Sequence, residues 1–367
     1  KMFRVVCEEK IVDGKKQSPK KIKIHFSPDG IHWKLAATTD DCGDRSTVFY
    51  NPFRKVWVFS LRESGKEVSR CRRYVESREP IPPARWGERL FWVGADKLDP
   101  DRSDLDLRRV PERPWDLVPS QLYNLDCVAY ESLMLGCFSI WRGHPADKVR
   151  RPKINEVCIG FSRDGFHWTR PDRRAFCPVS EKREDWNFGN VQSAGGCCLV
   201  VGDKLYFYAG GAGFHDGAFH PDPSFTGLAV LRRDGFTSMD AGATEGTLTT
   251  REVRFSGRHL LVNVDAPKGQ LLAEVLDADG RAIAPFTRAN CVPISADNTR
   301  QPVKWRGAND LSKLAGKPVK FRFHLRNGSL YAFWVSPDSS GASRGYVAAG
   351  GPGFTGPTDT VGSVASR

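Results

Sequence analysis

Asp44, Asp126, Asn190 and Gln192 sit at polar starts of apolar, strand-like runs, and their side chains suit chemistry on a hydroxyl-rich molecule. The three stretches are Gly43-Asp44-Arg45-Ser46, Asn124-Leu125-Asp126-Cys127 and Gly189-Asn190-Val191-Gln192. Two carboxylates placed across a C–O bond can cleave it: one, protonated, serves the leaving oxygen, and the other acts as base or nucleophile. A third carboxylate nearby tunes the acid by like-charge proximity. Asn190 and Gln192 offer amides for hydroxyl groups, and Arg45 offers a planar fork for a carboxylate or an acidic sugar. Asp44 also has a plainer reading, as a turn residue with a local ion pair.

Such groups act together only if the chain brings the starts of those strands to one place. A recurring signature indicates how. Phe26-Ser27-Pro28-Asp29-Gly30-Ile31-His32-Trp33 is repeated as Phe161-Ser162-Arg163-Asp164-Gly165-Phe166-His167-Trp168, and more weakly as Leu231-Arg232-Arg233-Asp234-Gly235-Phe236. The Asp-Gly pairs lie 135 and 70 residues apart. Phe91-Trp92-Val93-Gly94-Ala95-Asp96-Lys97 reads as an eroded copy within the long gap, giving a period of about 68 residues. Asp-Gly between apolar runs predicts a type I′ hairpin. Asp29, Asp164 and Asp234 are therefore turn residues, and Trp33 and Trp168 are expected to pack between repeats.

Apolar runs such as 56–59, 134–141, 199–201 and 205–208 are short, β-rich and bounded by turn formers, and no window carries a convincing helical stripe. Units of about 68 residues with four strands each are propeller blades, whose innermost strands begin around a central funnel. The expected architecture is all-β: a β-propeller of the five-bladed type over residues 1–240, with about four blades present, then a β-sandwich over 246–336 and an irregular tail over 350–367. In the sandwich, Asp279-Gly280 and Asn327-Gly328 are expected as hairpin turns, and 310–314 as one helical turn. The chain opens on Lys1 directly into a strand-like run, which reads as a cleavage point or truncation with sequence missing upstream.

Composition narrows the function classes. A net charge of +12 raises nucleic acid as a partner, but the basic residues are spread along the chain, runs such as 70–73 read as solvated surface, and no nucleic-acid-binding motif is present. No 18-residue apolar stretch exists to span a membrane. The ten cysteines (7, 42, 71, 127, 137, 158, 177, 197, 198 and 291) show no metal-ligand spacing and mostly lie inside apolar runs, so they read as buried small hydrophobes. No cofactor and no metal is expected.

The segment Asp44-Arg45-Ser46-Thr47-Val48-Phe49-Tyr50-Asn51-Pro52, followed by Lys55 to Phe59, resembles the second-blade segment of glycoside hydrolase family 32, which has an Arg-Asp-Pro core before a Val-Phe strand. The order here is Asp44-Arg45-Ser46, with the charges swapped and no proline. The five-bladed clan of families 32, 43 and 68 combines a propeller with, in family 32, a β-sandwich. The resemblance implies a glycosidase acting on an extracellular poly- or oligosaccharide, acidic ones included, and a secreted or periplasmic location. It also implies an acid near a Glu-Cys-Pro motif, for which the nearest text is Tyr130-Glu131-Ser132; the Asn-Asp-Pro of the nucleophile has no match. Glu131 lies five residues beyond Asp126, about 16 Å along a strand, so the family analogy favours Glu131 as the acid and the strand-start position favours Asp126. Asp44 is the candidate base or tuning carboxylate. A sialidase-like reading lacks its arginine triad, and the standing alternative is a propeller that binds glycans or proteins without catalysis.

Two loops complete the expected rim. Gly210 to Gly217 follows a strand, opens no helix and carries His215, a candidate substrate contact. The proline-rich loop 97–120, with Trp115, is the other. Glu156, within a strand, is expected to be structural.

Overall fold

The computed structural model describes residues 2–12, 15–63, 70–81, 85–99, 107–108, 120–145, 154–215 and 218–363. The chain forms two compact units: residues 1–197 with 207–229, and 198–206 with 230–367. Both are built from strands, as the apolar patterning implies.

The first unit opens with an antiparallel sheet of β1 (Met2–Val12), β2 (Lys15–Ser27) and β3 (Lys34–Cys42). Next comes an up-and-down, four-stranded, blade-type sheet of β4 (Thr47–Asn51), β5 (Val56–Glu63), β6 (Cys71–Ser77) and β7 (Leu90–Gly94). β8 (Leu107–Arg108) is a short strand paired with β10, which belongs to the run β9 (Gln121–Glu131), β10 (Leu133–Pro145) and β11 (Ile154–Ser162). β12 (Asn190–Val201), β13 (Lys204–His215) and β14 (Ala218–Arg232) follow as hydrogen-bonded neighbours, and a single parallel pair, Asn155 with Asn190, joins β12 to β11. Packing between sheets follows from the large apolar residues. Ile22 and Ile24 of β2 meet Phe59 and Leu61 of β5 together with Trp86, all of them buried.

The repeated signature forms a longer loop than a type I′ turn. At Ser162–His167, Asp164 Oδ1 accepts the N–H groups of Phe166 (2.9 Å) and His167 (2.8 Å), Ser162 Oγ accepts that of Gly165 (2.8 Å), and the His167 ring meets Asp164 Oδ2 at 2.7 Å. Ser27 to His32 repeats each of these contacts. Only the glycines, Gly30 and Gly165, have positive φ, whereas type I′ needs it at both central residues; Asp caps the loop through its side chain instead. The second-blade copy is not at 91–97 but at the start of the β6–β7 connection, where Ser77 Oγ accepts the Glu79 N–H at 3.1 Å. The spacing is unequal because the insertions between blades differ in length. The 161–168 loop docks through the Asn51 Nδ2 bond to Asp164 O (2.7 Å) and the Trp92 Nε1 bond to Phe166 O (2.8 Å). Trp168 lies 6.3 Å from Trp92 and 5.5 Å from Phe138, ring to ring, so it packs between sheets as expected.

The second unit continues with β15 (Met239–Ala241), β16 (Gly246–Thr249), β17 (His259–Asp265), β18 (Gln270–Leu276), β19 (Asp297–Pro302), β20 (Lys320–Arg326), β21 (Gly328–Ser336) and β22 (Tyr346–Val347). Two antiparallel sheets, ordered β15-β21-β17-β19 and β16-β20-β18, make the sandwich. Alternate residues of β17, β18 and β20 fill its core, among them Val262, Val264, Val275, Phe321 and Phe323. The chain at Asn327-Gly328 crosses between the two sheets rather than closing a hairpin, because β20 and β21 pair with different partners. Segment 277–281 does turn the chain back, with Asp277 N–H on Arg281 O (2.9 Å). A 3-10 turn at Ser312–Leu314 fits the expected helical turn. The tail is irregular yet anchored, since the buried ion pair of Arg233 and Asp359 (2.9 Å) ties it down. Phe323→Ala is expected to lower stability by about 3–5 kcal/mol, because it opens a cavity in this core; a chemical-denaturation curve measures it.

The eight cysteines at 42, 71, 127, 137, 158, 177, 198 and 291 are buried free thiols, as their apolar surroundings predict. Burial pushes those of Cys158 and Cys177 up to about 11. Glu156 forms a buried ion pair with Arg142 (3.1 Å), in keeping with a structural role.

Candidate functional site

The turn before β4 is tightly tied. A side chain on Gly43 would meet Arg62 O at 2.6 Å, so glycine is needed there. Ser46 Oγ donates to Gly43 O (2.8 Å) and accepts the Arg62 N–H (3.0 Å). Arg45 takes the left-handed conformation, φ 58°, which leaves its carbonyl pointing inward and its side chain exposed. Asp44 is ion-paired with Arg62. Thr47 Oγ1 then bonds Leu125 O at 2.8 Å and ties the start of β4 to the middle of β9.

β9 carries a bulge opposite β10: Asn124 pairs with Ser139 and Leu122 with Ile140, so Tyr123 is the extra residue. Bulges release a backbone group and re-aim side chains. The guanidinium of Arg72, fully buried, takes up the freed Tyr123 carbonyl with one nitrogen and the Arg45 carbonyl with the other, the latter at 2.7 Å. One side chain thus clamps two chain segments that no ladder joins. Burial lowers Arg72 to about 10, and the nearby Asp126 carboxylate counters it.

Asp126 is the buried carboxylate of this region, 5% exposed. Its Oδ2 accepts Asn124 Nδ2 (2.8 Å) and the Ser193 hydroxyl. Burial raises its carboxyl above the ordinary aspartate value, while the Ser193 hydroxyl, Arg72, Arg45 and Asn124 pull the other way. A carboxyl that holds its proton more tightly than usual has the property required of a general acid.

Asn190 and Gln192, at the start of β12, are both buried. Asn190 Oδ1 accepts Asn155 Nδ2 (2.8 Å) and Gln192 Nε2 (3.2 Å). Asn190 Nδ2, Asn155 Oδ1, Gln192 Oε1 and Asn124 Oδ1 find no protein partner. Buried polar atoms are nearly always bonded, and these four lie on β9, β11 and β12.

No family model matches the chain, and no curated protein does. Solved structures that it matches include glycoside hydrolases. One is a putative glycoside hydrolase from Parabacteroides distasonis, 15% identical, with 52% of this chain and 50% of that chain covered and a TM-score of 0.25. Another is a family 43 arabinoxylan arabinofuranohydrolase from Bacillus subtilis (12%, 91% and 79%, TM-score 0.26), and a third a fructofuranosidase from Schwanniomyces occidentalis (10%, 86% and 75%, TM-score 0.29). The chain spans about half the length of the first of these. The all-β assignment rests on the strands and sheets above.

Of the residues singled out from sequence, Asp44, Arg45 and Asp126 come together around Arg72. Asn190 and Gln192 join one another, and the neighbouring Ser193 reaches Asp126. Glu131 stands apart from them, in the left-handed region (φ 48°) as the first residue of the two-residue β9–β10 turn. The side chain of His215 and most of the loop 97–120, Trp115 included, lie outside the described residues. Sequence reasoning missed Arg62, Arg70, Arg72, Asn155 and Ser193. The run 70–73, read as solvated, holds the buried Arg72 and an Arg73 paired with Glu63 (3.0 Å); strand alternation with Cys71 was the available signal.

Proposed function

We propose that the first unit is a glycosidase site acting on a poly- or oligosaccharide, with Asp126 as the general acid and Asp44 as the base or tuning carboxylate. The observation that supports it best is Asp126 itself: a buried carboxyl with a raised pKa, beside amides whose hydrogen-bonding groups are unspent. Glycoside hydrolysis needs such a protonated acid opposite an ionised partner. Asp44, more exposed than Asp126 and ion-paired with Arg62, is assigned the partner role. Asn190, Gln192, Asn155 and Asn124 would bind hydroxyls.

Reducing-sugar release from a panel of fructans, arabinans, pectic and sulfated glycans tests this reading, with wild type run beside Asp126→Asn, Asp44→Asn and Glu131→Gln. The expected result is release that both aspartate substitutions remove and Glu131→Gln leaves near wild type. Loss of release only in Glu131→Gln would move the acid to that residue. The Arg62–Asp44 ion pair favours a second reading, glycan binding without cleavage; binding with no release from any member of the panel would select it.

A further inference from the structure

Asp126 on β9 receives both of its hydrogen bonds on one oxygen. Asn124, on the same face of the strand, gives its Nδ2 to Oδ2 at 2.8 Å, and Ser193 of β12 gives its hydroxyl to the same atom. A carboxyl oxygen has two lone pairs, and these donors use both of them on Oδ2. Among the described residues, Oδ1 takes no hydrogen bond. The charges that face the group are those of Arg72, from β6, and Arg45, from the turn before β4. Arg72 spends Nη1 and Nη2 on carbonyls rather than on the carboxyl. The other titratable groups beside it are thiols: Cys127, next in the strand and pushed well up by burial, and Cys137, opposite it on β10.

We propose that Asp126 carries its acidic proton on Oδ1, and that Ser193 and Asn124 are positioning residues that keep it there. This placement rests on the general-acid reading above and assigns the atom and the residues behind it. An amide nitrogen has no lone pair to offer a proton. A proton on Oδ2 would therefore evict the Asn124 bond or force the Ser193 hydroxyl to turn and accept; on Oδ1 it displaces nothing. In cleavage, the Oδ1 proton passes to the glycosidic oxygen as its bond to the anomeric carbon breaks. The bonding pair stays on that oxygen, and a water activated by the base partner, or a nucleophile that water later displaces, makes the new bond at carbon. Asp126 is left as a carboxylate whose charge meets two donors already on Oδ2, and bonds to an ionised acceptor are the stronger kind. Burial retains the proton, and the two donors ease its release.

The test follows the carboxyl carbon of Asp126 by NMR from acid to neutral pH with no substrate present, the resonance being assigned by its loss in Asp126→Asn. Ser193→Ala and Asn124→Leu are each expected to move the titration up by about one pH unit, the scale of one hydrogen bond to a charged group. Each removes a donor that favours the carboxylate. Ser193→Thr, which keeps a hydroxyl, should titrate near wild type. The alkaline limb of glycan cleavage should move up in the same variants, a displacement that a merely structural role would not produce. A downward move in Ser193→Ala would mean that the serine accepts a proton held on Oδ2, and would overturn the proposal. A titration that neither substitution shifts would overturn it too. Ser193→Ala removes a single half-buried oxygen, so it decides the sign even where Asn124→Leu, beside the β9 bulge, disturbs the strand. Upward shifts with no cleavage of any glycan would support the proton placement and sink the hydrolase reading; cleavage with downward shifts would do the reverse.

Discussion

Asp126→Asn is expected to lower the rate of glycan cleavage by about 10²–10⁴-fold while the protein stays folded, the range typical of losing a positioned proton donor. Asn keeps the shape of the carboxyl and can still accept the Asn124 amide and the Ser193 hydroxyl, but it has no proton to give. Substrates whose leaving group departs without protonation, such as dinitrophenyl glycosides, should recover most of the rate; a merely structural role for Asp126 would not distinguish the leaving groups. The pH profile gives a second check. Activity of the wild type should fall on the alkaline side as Asp126 loses its proton, and that limb should vanish in the variant. Stability follows the same group. Because burial raises the carboxyl in the folded chain, the folded state binds the proton more tightly than the unfolded one does. That contribution is fully present below the unfolded value of about 3.9 and is lost as pH rises through the folded value. Denaturation midpoints of wild type and variant should therefore diverge in pH dependence across that window. Identical slopes would mean that Asp126 ionises as an exposed aspartate does.

What the sequence reveals and what it conceals divide along a physical line. Strands of the sandwich and of the blade sheets are legible because each is a local pattern: β17 and β20 alternate, β5 is an apolar run, and turns carry Asp, Asn and Gly. Asp44, Asp126, Asn190 and Gln192 are legible as polar residues placed where an apolar strand starts. The arginine cluster is not, since the burial of Arg72 is decided by a bulge at Tyr123 and a left-handed turn at Arg45, 51 and 27 residues away. A run of arginines has the same letters on a solvated face and in a clamp. The copy of the loop signature at Ser77–Pro80 is hidden for a related reason: Glu replaces Asp and Pro80 replaces the glycine, so the letters change while the Ser Oγ contact persists. Asn327-Gly328 shows the converse. Its letters announce a hairpin, but the flanking strands each find better partners in different sheets, and tertiary pairing overrides the local signal.

Arg72→Met should be the most destabilising single change in the first unit, by about 3–5 kcal/mol, the combined cost of leaving two buried carbonyls without their donor at about 1–3 kcal/mol each. The substitution keeps the length of the apolar stem but strips the donors from Arg45 O and Tyr123 O and the positive charge from beside Asp126. Against the roughly 5–15 kcal/mol that holds a domain together, such a loss puts the unit near its unfolding limit. Arg72→Lys should fall between wild type and Arg72→Met, since one ammonium cannot span two carbonyls as a planar fork does. The double variant Arg72→Met/Asp126→Asn separates charge from hydrogen bonding. If the clamp acts mainly by balancing Asp126, the double variant should be more stable than Arg72→Met alone; if it acts mainly by bonding the two carbonyls, adding Asp126→Asn should change little. Urea denaturation of the four proteins closes this cycle. A loss below about 1 kcal/mol for Arg72→Met, the size of an ordinary substitution, would show that the turn at Arg45 and the bulge at Tyr123 hold without the clamp, and the geometry around Asp126 would then have to be set by the β4–β9 contact through Thr47.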